Sequence, residues 1–289
     1  MFPRFQPPNP DPQRRRDGGP IGNARSGLTF IELLVAAAIM AMIIAALAML
    51  AKAVQVGVEY GGNHGEVIQN ARVTLERITH MANEATTSPD FPGLLVVPEV
   101  VDGNEYPDTL VIWHPSSGTP YDPDGRPRFD ELVIYCPNPD RPNELLELTA
   151  PGDTRTVPKY NEASNWKTEI DALKNSDATR KTVLTALVRM ASTDGTNMAY
   201  SLRPCVRFNV RLRPSEANLT EFGDGNVPWE ELPWVQNIYS PSIGLRQVWM
   251  RVEMQLVPGS HGQTEENNRD SALTFLDSAA VHYTLTKEN

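Results

Sequence analysis

A long apolar segment near the N-terminus most constrains how this chain can fold. Residues 28–51 have the sequence LTFIELLVAAAIMAMIIAALAMLA, which is 24 residues with one charged side chain and no proline or glycine. As an α-helix this segment is about 36 Å long, enough to cross the hydrocarbon core of a bilayer. A helix that is apolar on every face is unusual in a soluble protein. The segment therefore predicts a single transmembrane helix.

The leader, residues 1–27, has a different composition. It is rich in proline, glycine and asparagine, and it carries five arginines against two aspartates. Such a sequence cannot bury enough apolar surface to fold, and its positive charge places it on the cytoplasmic side of the membrane. A secretory signal peptide is a poor alternative, because the apolar stretch is too long and no small-x-small site follows it.

Glu32 is the one charge in the apolar segment. A carboxylate inside a membrane costs roughly several kcal/mol unless it has a partner. An ordinary signal anchor does not explain this residue. Glu32 therefore indicates a function that depends on a partner within the membrane.

The sequence SGLTFIELL at residues 26–34 resembles the class III signal of type IV pilins and pseudopilins. The resemblance implies that a prepilin peptidase cleaves between Gly27 and Leu28 and methylates the new amine of Leu28. It also implies that Glu32, then the fifth residue, neutralises the N-terminal amine of a neighbouring subunit during assembly. The family usually has phenylalanine as the first residue after the cleavage site. Here Leu28 has that position and Phe30 lies two residues later. The resemblance implies that Phe30 belongs to the segment that mediates assembly.

The resemblance further implies a structural, non-enzymatic subunit of a type II secretion pseudopilus or a type IV pilus, without a cofactor. The large sheet domain is most like that of a minor pseudopilin J or a minor pilin of the PilW type. The expected partners are prepilin peptidase, other pilin or pseudopilin subunits through the N-terminal helix, and inner-membrane lipid before assembly. The chain would cross the bacterial inner membrane once, with its C-terminal domain in the periplasm.

Charge and motif content exclude several other functions. The chain has 26 Lys and Arg against 36 Asp and Glu, for a net charge of −10, and without the leader residues 28–289 carry −13. Such a balance opposes sequence-independent nucleic-acid binding. We find no phosphate loop, HExxH or GxSxG motif, and the five histidines have no ligand spacing. The acidic run Asp122-Pro123-Asp124-Gly125, followed by Asp130-Glu131, predicts a turn rather than a calcium loop, so no metal is expected.

The helix is predicted to continue over residues 52–88 and to end at Ser88-Pro89. Apolar side chains there recur at spacings of three and four, as one helix face requires: Ile68, Ala71, Leu75, Ile78, Ala82 and Ala85. Four glycines lie between the two halves, and each weakens a helix by about 1 kcal/mol, which predicts a flexible or kinked joint at Gly57, Gly61, Gly62 and Gly65. Two separate helices joined by a loop are the alternative.

Residues 89–289 predict an exported, β-rich globular domain. Candidate strands are residues 94–97, 109–114, 131–135, 144–148, 206–212, 247–256 and 280–285, and the strict alternation in 206–212 and 247–256 favours an antiparallel sheet with one buried face. The fold class is therefore α+β, a long N-terminal helix packed on an antiparallel sheet domain with long loops. The arginines of these strands form either a positive stripe for a partner or a solvated face.

Three further features of this domain are expectations. Residues 150–200 form an insertion in which 183–191 predict a short helix capped by Ser176 or Asp177. Trp229 and Trp234 lie in a proline-rich loop, either as its own anchors or as partner contacts. Cys136 and Cys205 form either a disulfide, in an oxidising compartment, or two free thiols.

Two rival functions remain open at this point. The first is a membrane-anchored periplasmic enzyme or solute-binding protein, which uses the span only as an anchor and has a deep polar pocket in the β domain. The second is a pilin-like adhesin whose tryptophan-bearing loop binds a surface.

Overall fold

The computed structural model describes residues 29–101, 103–123, 125–192, 202–258 and 272–287. The chain divides into two units, Met1–Gly57 and Val58–Asn289. Helix α1 (Phe30–Asn83) begins in the first unit and ends in the second, where its C-terminal part packs on antiparallel sheets. The predicted α+β fold is confirmed.

The four glycines of α1 all lie within the helix. The alternative of two helices separated by a loop is therefore wrong. Each glycine lowers helix stability but keeps its backbone N–H and C=O, so the ladder of hydrogen bonds can pass through it.

Helix α1 ends at Asn83, five residues before the predicted stop at Ser88-Pro89. The connection to the sheet explains the early end. The Thr86 N–H donates to the Trp113 carbonyl at 2.9 Å, and the Ser88 N–H donates to the Phe91 carbonyl at 2.8 Å. These backbone groups therefore pair with the sheet and a turn instead of continuing the helix.

Five strands form an antiparallel meander in chain order: β1 (Leu94–Val101), β2 (Asn104–Trp113), β3 (Leu132–Pro137), β4 (Leu145–Thr149) and β5 (Arg180–Thr185). Two short strands, β6 (Met190–Ser192) and β7 (Leu202–Pro204), pair with each other. A three-stranded antiparallel sheet has the order β10–β9–β8, from β8 (Val206–Arg213), β9 (Ile243–Leu256) and β10 (Leu273–Thr286). Every predicted strand overlaps an observed one.

The insertion differs from its prediction. The helix is α2 (Ala163–Asn175), and the segment predicted to be helical instead contributes to β5 and β6. Ser176, expected to cap the start of a helix, is the C-cap of α2. The apolar residues of β5, of β6 and of the connection between them lie at helical spacings although no helix forms there.

One core joins α1 to one face of the five-stranded sheet and to the inner face of the three-stranded sheet. Helix α1 contributes Val67, Ala71, Leu75, Ile78, Met81 and Ala82 to it. Of the predicted stripe, Ile68 is 53% exposed, and its neighbour Val67 is buried in its place. Position 67 lies one helical turn before Ala71, so this face continues at i, i+4 spacing.

A second core covers the opposite face of the five-stranded sheet. Trp166 of α2, Phe91 and Trp113 are fully buried there, with the Phe91 ring 5.9 Å from that of Trp166 and 6.0 Å from that of Trp113. Because both faces of this sheet are covered, β2 ends and β3 begins with continuous apolar runs rather than alternating residues.

Gly93 tests the packing of the connection between α1 and β1. Its φ is +85°, and a Cβ at this position would lie 2.5 Å from the Thr86 carbonyl oxygen, whereas Gly152 has φ +82° and open space around it. We expect Gly93→Ala to lower the free energy of unfolding by about 2–4 kcal/mol, and Gly152→Ala by about 1–2 kcal/mol from the left-handed backbone alone. Urea unfolding of both full-length variants in detergent measures the difference. Equal losses would contradict close packing at Gly93.

Candidate functional site

The first turn of α1 holds Glu32 in a capping box with Thr29. The Glu32 carboxylate accepts hydrogen bonds from the Thr29 N–H at 2.8 Å and from the Thr29 hydroxyl at 3.0 Å. In return, the Glu32 N–H donates to the Thr29 hydroxyl oxygen at 3.4 Å. The carboxylate therefore has partners within its own chain, at the end of the helix where the dipole favours negative charge.

This cap could have been recognised from the sequence, because Thr-x-x-Glu before an apolar run is its signature. From the sequence we assigned Glu32 to a neighbouring subunit's amine and did not predict that it caps its own helix. The cap needs only the Thr29 N–H, which stays an amide after cleavage between Gly27 and Leu28. Glu32 can thus cap its own helix both before and after processing.

The side chains of α1 around Glu32 are exposed throughout its first half. Every residue from 29 to 62 is exposed, Phe30 at 77% and Met49 at 74% among them. Within the described residues, α1 is the helix that is long and apolar enough to cross a membrane. Apolar surface of this extent requires a cover of lipid or of other helices.

The structure does not test the roles predicted for the other residues of this site, Gly27, Leu28 and Phe30. Gly27 and Leu28 lie outside the described residues, so cleavage between them and methylation of Leu28 stay predictions. Phe30 is the first residue of α1 and points to no neighbour within the described structure that would bury it. Its part in assembly likewise stays a prediction.

Cys136 and Cys205 are free thiols in the structure, so the disulfide that the sequence left open is not formed in it. Cys136 lies on β3 in the core beneath α2, where burial raises the pKa of its thiol to about 12. Cys205 lies between β7 and β8, next to Arg189 and Gln255. The two side chains thus belong to different environments.

Trp229 and Trp234 anchor their own loop, which was the first of the two alternatives that the sequence left open. They are 2% and 0% exposed, and their rings lie 4.5 Å apart. The indole N–H of Trp229 donates to the Ser240 carbonyl, and that of Trp234 donates to the Trp229 carbonyl. A loop that buries both tryptophans does not present them to a surface, which removes the observation behind the adhesin alternative.

The acidic run near β3 uses its carboxylates locally. Asp130 pairs with Arg128 at 2.6 Å, and Glu131 accepts from the backbone N–H groups of Arg128 and Tyr121. Asp124 lies outside the described residues. Among the residues that are described, no three His, Cys, Asp or Glu side chains are grouped to hold a metal ion.

Two adjoining cavities, of about 340 and 730 Å³, meet at the buried Arg246 of β9. Its guanidinium donates to the Pro214 carbonyl, the Tyr283 hydroxyl and the Glu216 carboxylate, at 2.9, 3.1 and 2.7 Å. Neither lining, as far as the structure describes it, includes a histidine, serine or cysteine. Arg246 was not singled out from the sequence, and here it joins α3 (Glu216–Gly223) to the sheet.

A third cavity, of about 200 Å³, contains a buried carboxylate. Asp108 on β2 is 3% exposed, and the Thr109 hydroxyl donates to it at 3.1 Å. Burial raises the pKa of Asp108 to about 6, against the opposing effect of the Lys174 ammonium. Arg203, which also lines the cavity, pairs with Glu99 at 3.4 Å. The third cavity thus contains a carboxyl group, Asp108, whose ionisation costs free energy in the folded state.

Comparison with known proteins gives one match. A family model described as the prokaryotic N-terminal methylation motif matches residues 22–48. None of the curated proteins and none of the solved structures matches the chain.

The chain therefore carries the N-terminal methylation motif that type IV pilins and pseudopilins share. This motif implies processing by prepilin peptidase, and proteins that begin with it are typically structural rather than enzymatic. Together with the exposed apolar helix, it indicates anchoring in the inner membrane before assembly.

Asp108 predicts a definite pH dependence of stability. Its folded-state pKa, about 6, lies above the value of about 3.9 expected in the unfolded chain, so folding favours the protonated form. Its contribution is complete below about pH 4 and is lost as the pH rises through about 6. We expect Asp108→Asn to raise the free energy of unfolding at neutral pH by on the order of 1–3 kcal/mol. Urea unfolding from pH 4 to 8, with exposed Asp140→Asn as control, measures this. Parallel pH profiles for wild type and Asp108→Asn would contradict it.

Proposed function

We propose that this protein is a structural subunit of a bacterial pilin-type fibre. In this proposal prepilin peptidase cleaves between Gly27 and Leu28, Leu28 becomes N-methylated, and the processed chain leaves the inner membrane to join a helical assembly. The methylation motif at residues 22–48, continuous with a helix that is apolar on every side, is the observation that carries the proposal.

The exposed helix supports assembly because its apolar surface must stay covered after it leaves the bilayer. A large apolar side chain gains about 1.5–3 kcal/mol when it is fully removed from water. The first half of α1 exposes many such side chains, so extraction into water alone would be prohibitive. Neighbouring helices of the same kind can replace the lipid around every face.

Glu32 is the charged side chain that must be accommodated when neighbouring helices replace the lipid. In the single chain its carboxylate accepts from Thr29, which lowers the cost of carrying a charge in the apolar segment. In the fibre the N-terminal amine of a neighbouring subunit offers a full positive charge, and in apolar surroundings this attracts the carboxylate more strongly than the uncharged N–H and hydroxyl of Thr29 do. Assembly thus exchanges a local cap for an intermolecular ion pair.

The finer assignment within this proposal is a minor subunit. The described residues beyond α1 form three sheets, α2, α3 and long connections, which is more than a helix packed on one small sheet. A domain of this size suits a subunit like pseudopilin J of type II secretion or a minor pilin of the PilW type. Fibre surfaces and tips have space for it.

Substitutions of Glu32 separate its charge from its cap. Glu32→Gln keeps a side-chain oxygen that can accept from the Thr29 N–H, whereas Glu32→Ala removes both functions. We expect both variants to be cleaved normally and to enter the sheared fibre fraction at least about tenfold less than wild type, because the lost ion pair is worth more than about 1.4 kcal/mol. Immunoblots of fibre and membrane fractions measure this.

Glu59→Gln, an exposed carboxylate farther along α1, is the matched control and should assemble normally. Rescue by Glu32→Gln would show that the cap alone matters. Normal assembly of Glu32→Ala would contradict the role of Glu32 altogether.

A further inference from the structure

The outer face of the three-stranded sheet concentrates positive charge on an acidic protein. Strands β8, β9 and β10 turn alternate side chains into the core, and the others face away from it. The outward set includes Arg207, Arg211, Arg213 and Arg251 around Trp249, and we call these five residues the arginine face.

The strand register brings these side chains together. Arg211 on β8 is paired with Trp249 on β9, and Arg251 is paired with Asn209, one position along the same face. Paired side chains in an antiparallel sheet have Cβ atoms about 4.5–5.5 Å apart. Trp249 is half-buried, and together with Arg207, Arg211 and Arg251 it lines an open cavity of about 300 Å³. Tryptophan and arginine are the side chains that most often dominate the energy of protein interfaces.

The charge of this face is only partly neutralised within the described structure. Glu253 is the one carboxylate that β9 contributes to it; it pairs with Arg251 at 3.0 Å and stands opposite Arg207 in the strand register. Arg211 donates to the Asn209 amide oxygen and Arg213 to the Pro233 carbonyl, both neutral acceptors. None of the three arginines on β8 forms an ion pair with a described residue. The outward residues of β10 include no carboxylate.

The chain also carries the complementary surface. The connection from β8 to β9, residues 214–242, has five carboxylates and no lysine, arginine or histidine. Glu216 pairs with Arg246, while the other four are exposed and form no ion pair with a described residue: Glu221, Asp224, Glu230 and Glu231. We call residues 214–242 the acidic connection.

We propose that the arginine face of one copy docks the acidic connection of a second copy of this chain. The inference rests on the proposed function, because it names a contact between neighbouring subunits of a fibre. Within one copy the two surfaces meet at one edge, where Arg213 donates to the Pro233 carbonyl of the acidic connection. They consist of different residues, so the contact between two copies is heterologous. Repeated heterologous contacts that do not close into a ring generate an open helical filament.

A nucleic acid fits this face less well. Sequence-independent binding needs many phosphate contacts, whereas four arginines and one aromatic side chain are present here, on a body of net charge −13 after removal of the leader. Carboxylates on a protein segment need only a few guanidinium partners, and bidentate pairing suits them.

Charge exchange between two tagged copies tests the proposal. The face variant is Arg207→Glu/Arg211→Glu/Arg251→Glu, and the connection variant is Glu221→Lys/Asp224→Lys/Glu230→Lys. The full coding sequence is expressed in cells that have prepilin peptidase, the protein is solubilised in detergent micelles and cross-linked at low salt, and recovery of one tag with the other is measured. We expect each variant alone to lose about tenfold in self-cross-linking, and a mixture of the two to recover it. Because both variants must be folded to recover together, recovery excludes misfolding as the cause.

Two controls complete the design. Arg180→Glu/Lys181→Glu changes exposed cations on the edge strand β5 and should leave cross-linking unchanged. Wild-type cross-linking should fall when salt is raised from about 50 to about 500 mM, while association through the apolar helices is not weakened by salt.

Unchanged self-cross-linking in both variants would overturn the inference. So would binding of a single-stranded oligothymidylate probe that the face variant loses while self-cross-linking stays normal, which would assign the face to nucleic acid. Cleavage at Gly27 is measured separately in the same samples. A cleaved protein without the docking contact would leave the proposed function standing, and an uncleaved protein would remove it.

Discussion

The apolar side chains of residues 29–62 have no cover within the described part of the chain. Something outside the chain must cover them, and the rest of the structure depends on this constraint. Such a surface is stable in lipid or against other helices of the same kind. From Val67 onward the same helix buries one face in the core of the β domain. A single helix is thus exposed and apolar in its first half, as a membrane anchor is, and a structural core element in its second.

Polar interactions determine how easily the helix can pass from lipid to contact with other helices. The capping box of Thr29 and Glu32 satisfies a carboxylate inside the apolar segment without any second molecule. Beyond the helix, three arginines of the arginine face and four carboxylates of the acidic connection form no ion pair with a described residue. In the assembly that we propose, the apolar helix supplies most of the association energy, because it has the largest surface to cover, and the charge pairs supply register and partner choice.

Local patterns in the sequence predicted much of this structure, and features that depend on tertiary packing were missed. The apolar span and all seven predicted strands follow from composition and periodicity, and the N-terminal methylation motif was identified by its resemblance to the pilin signal. Helix α2 was not predicted although Trp166, Ile170 and Leu173 have helical spacing, because a later segment, where strands imitate that spacing, carries the more regular apolar pattern. The arginine alternation on β8 was visible, but its meeting with Trp249 depends on the register with β9, which periodicity does not give. The partners of Arg246 lie up to 37 residues away in sequence, so no local signal marked them.

The mass of the N-terminal peptide from the native membrane fraction tests the central claim most directly. We expect a peptide that begins at N-methylated Leu28, and we expect it to be replaced by the intact leader in cells without prepilin peptidase. An intact leader in both samples would contradict a processed pilin-type subunit. The apolar helix would then be a plain anchor, and the function would reside in the β domain alone.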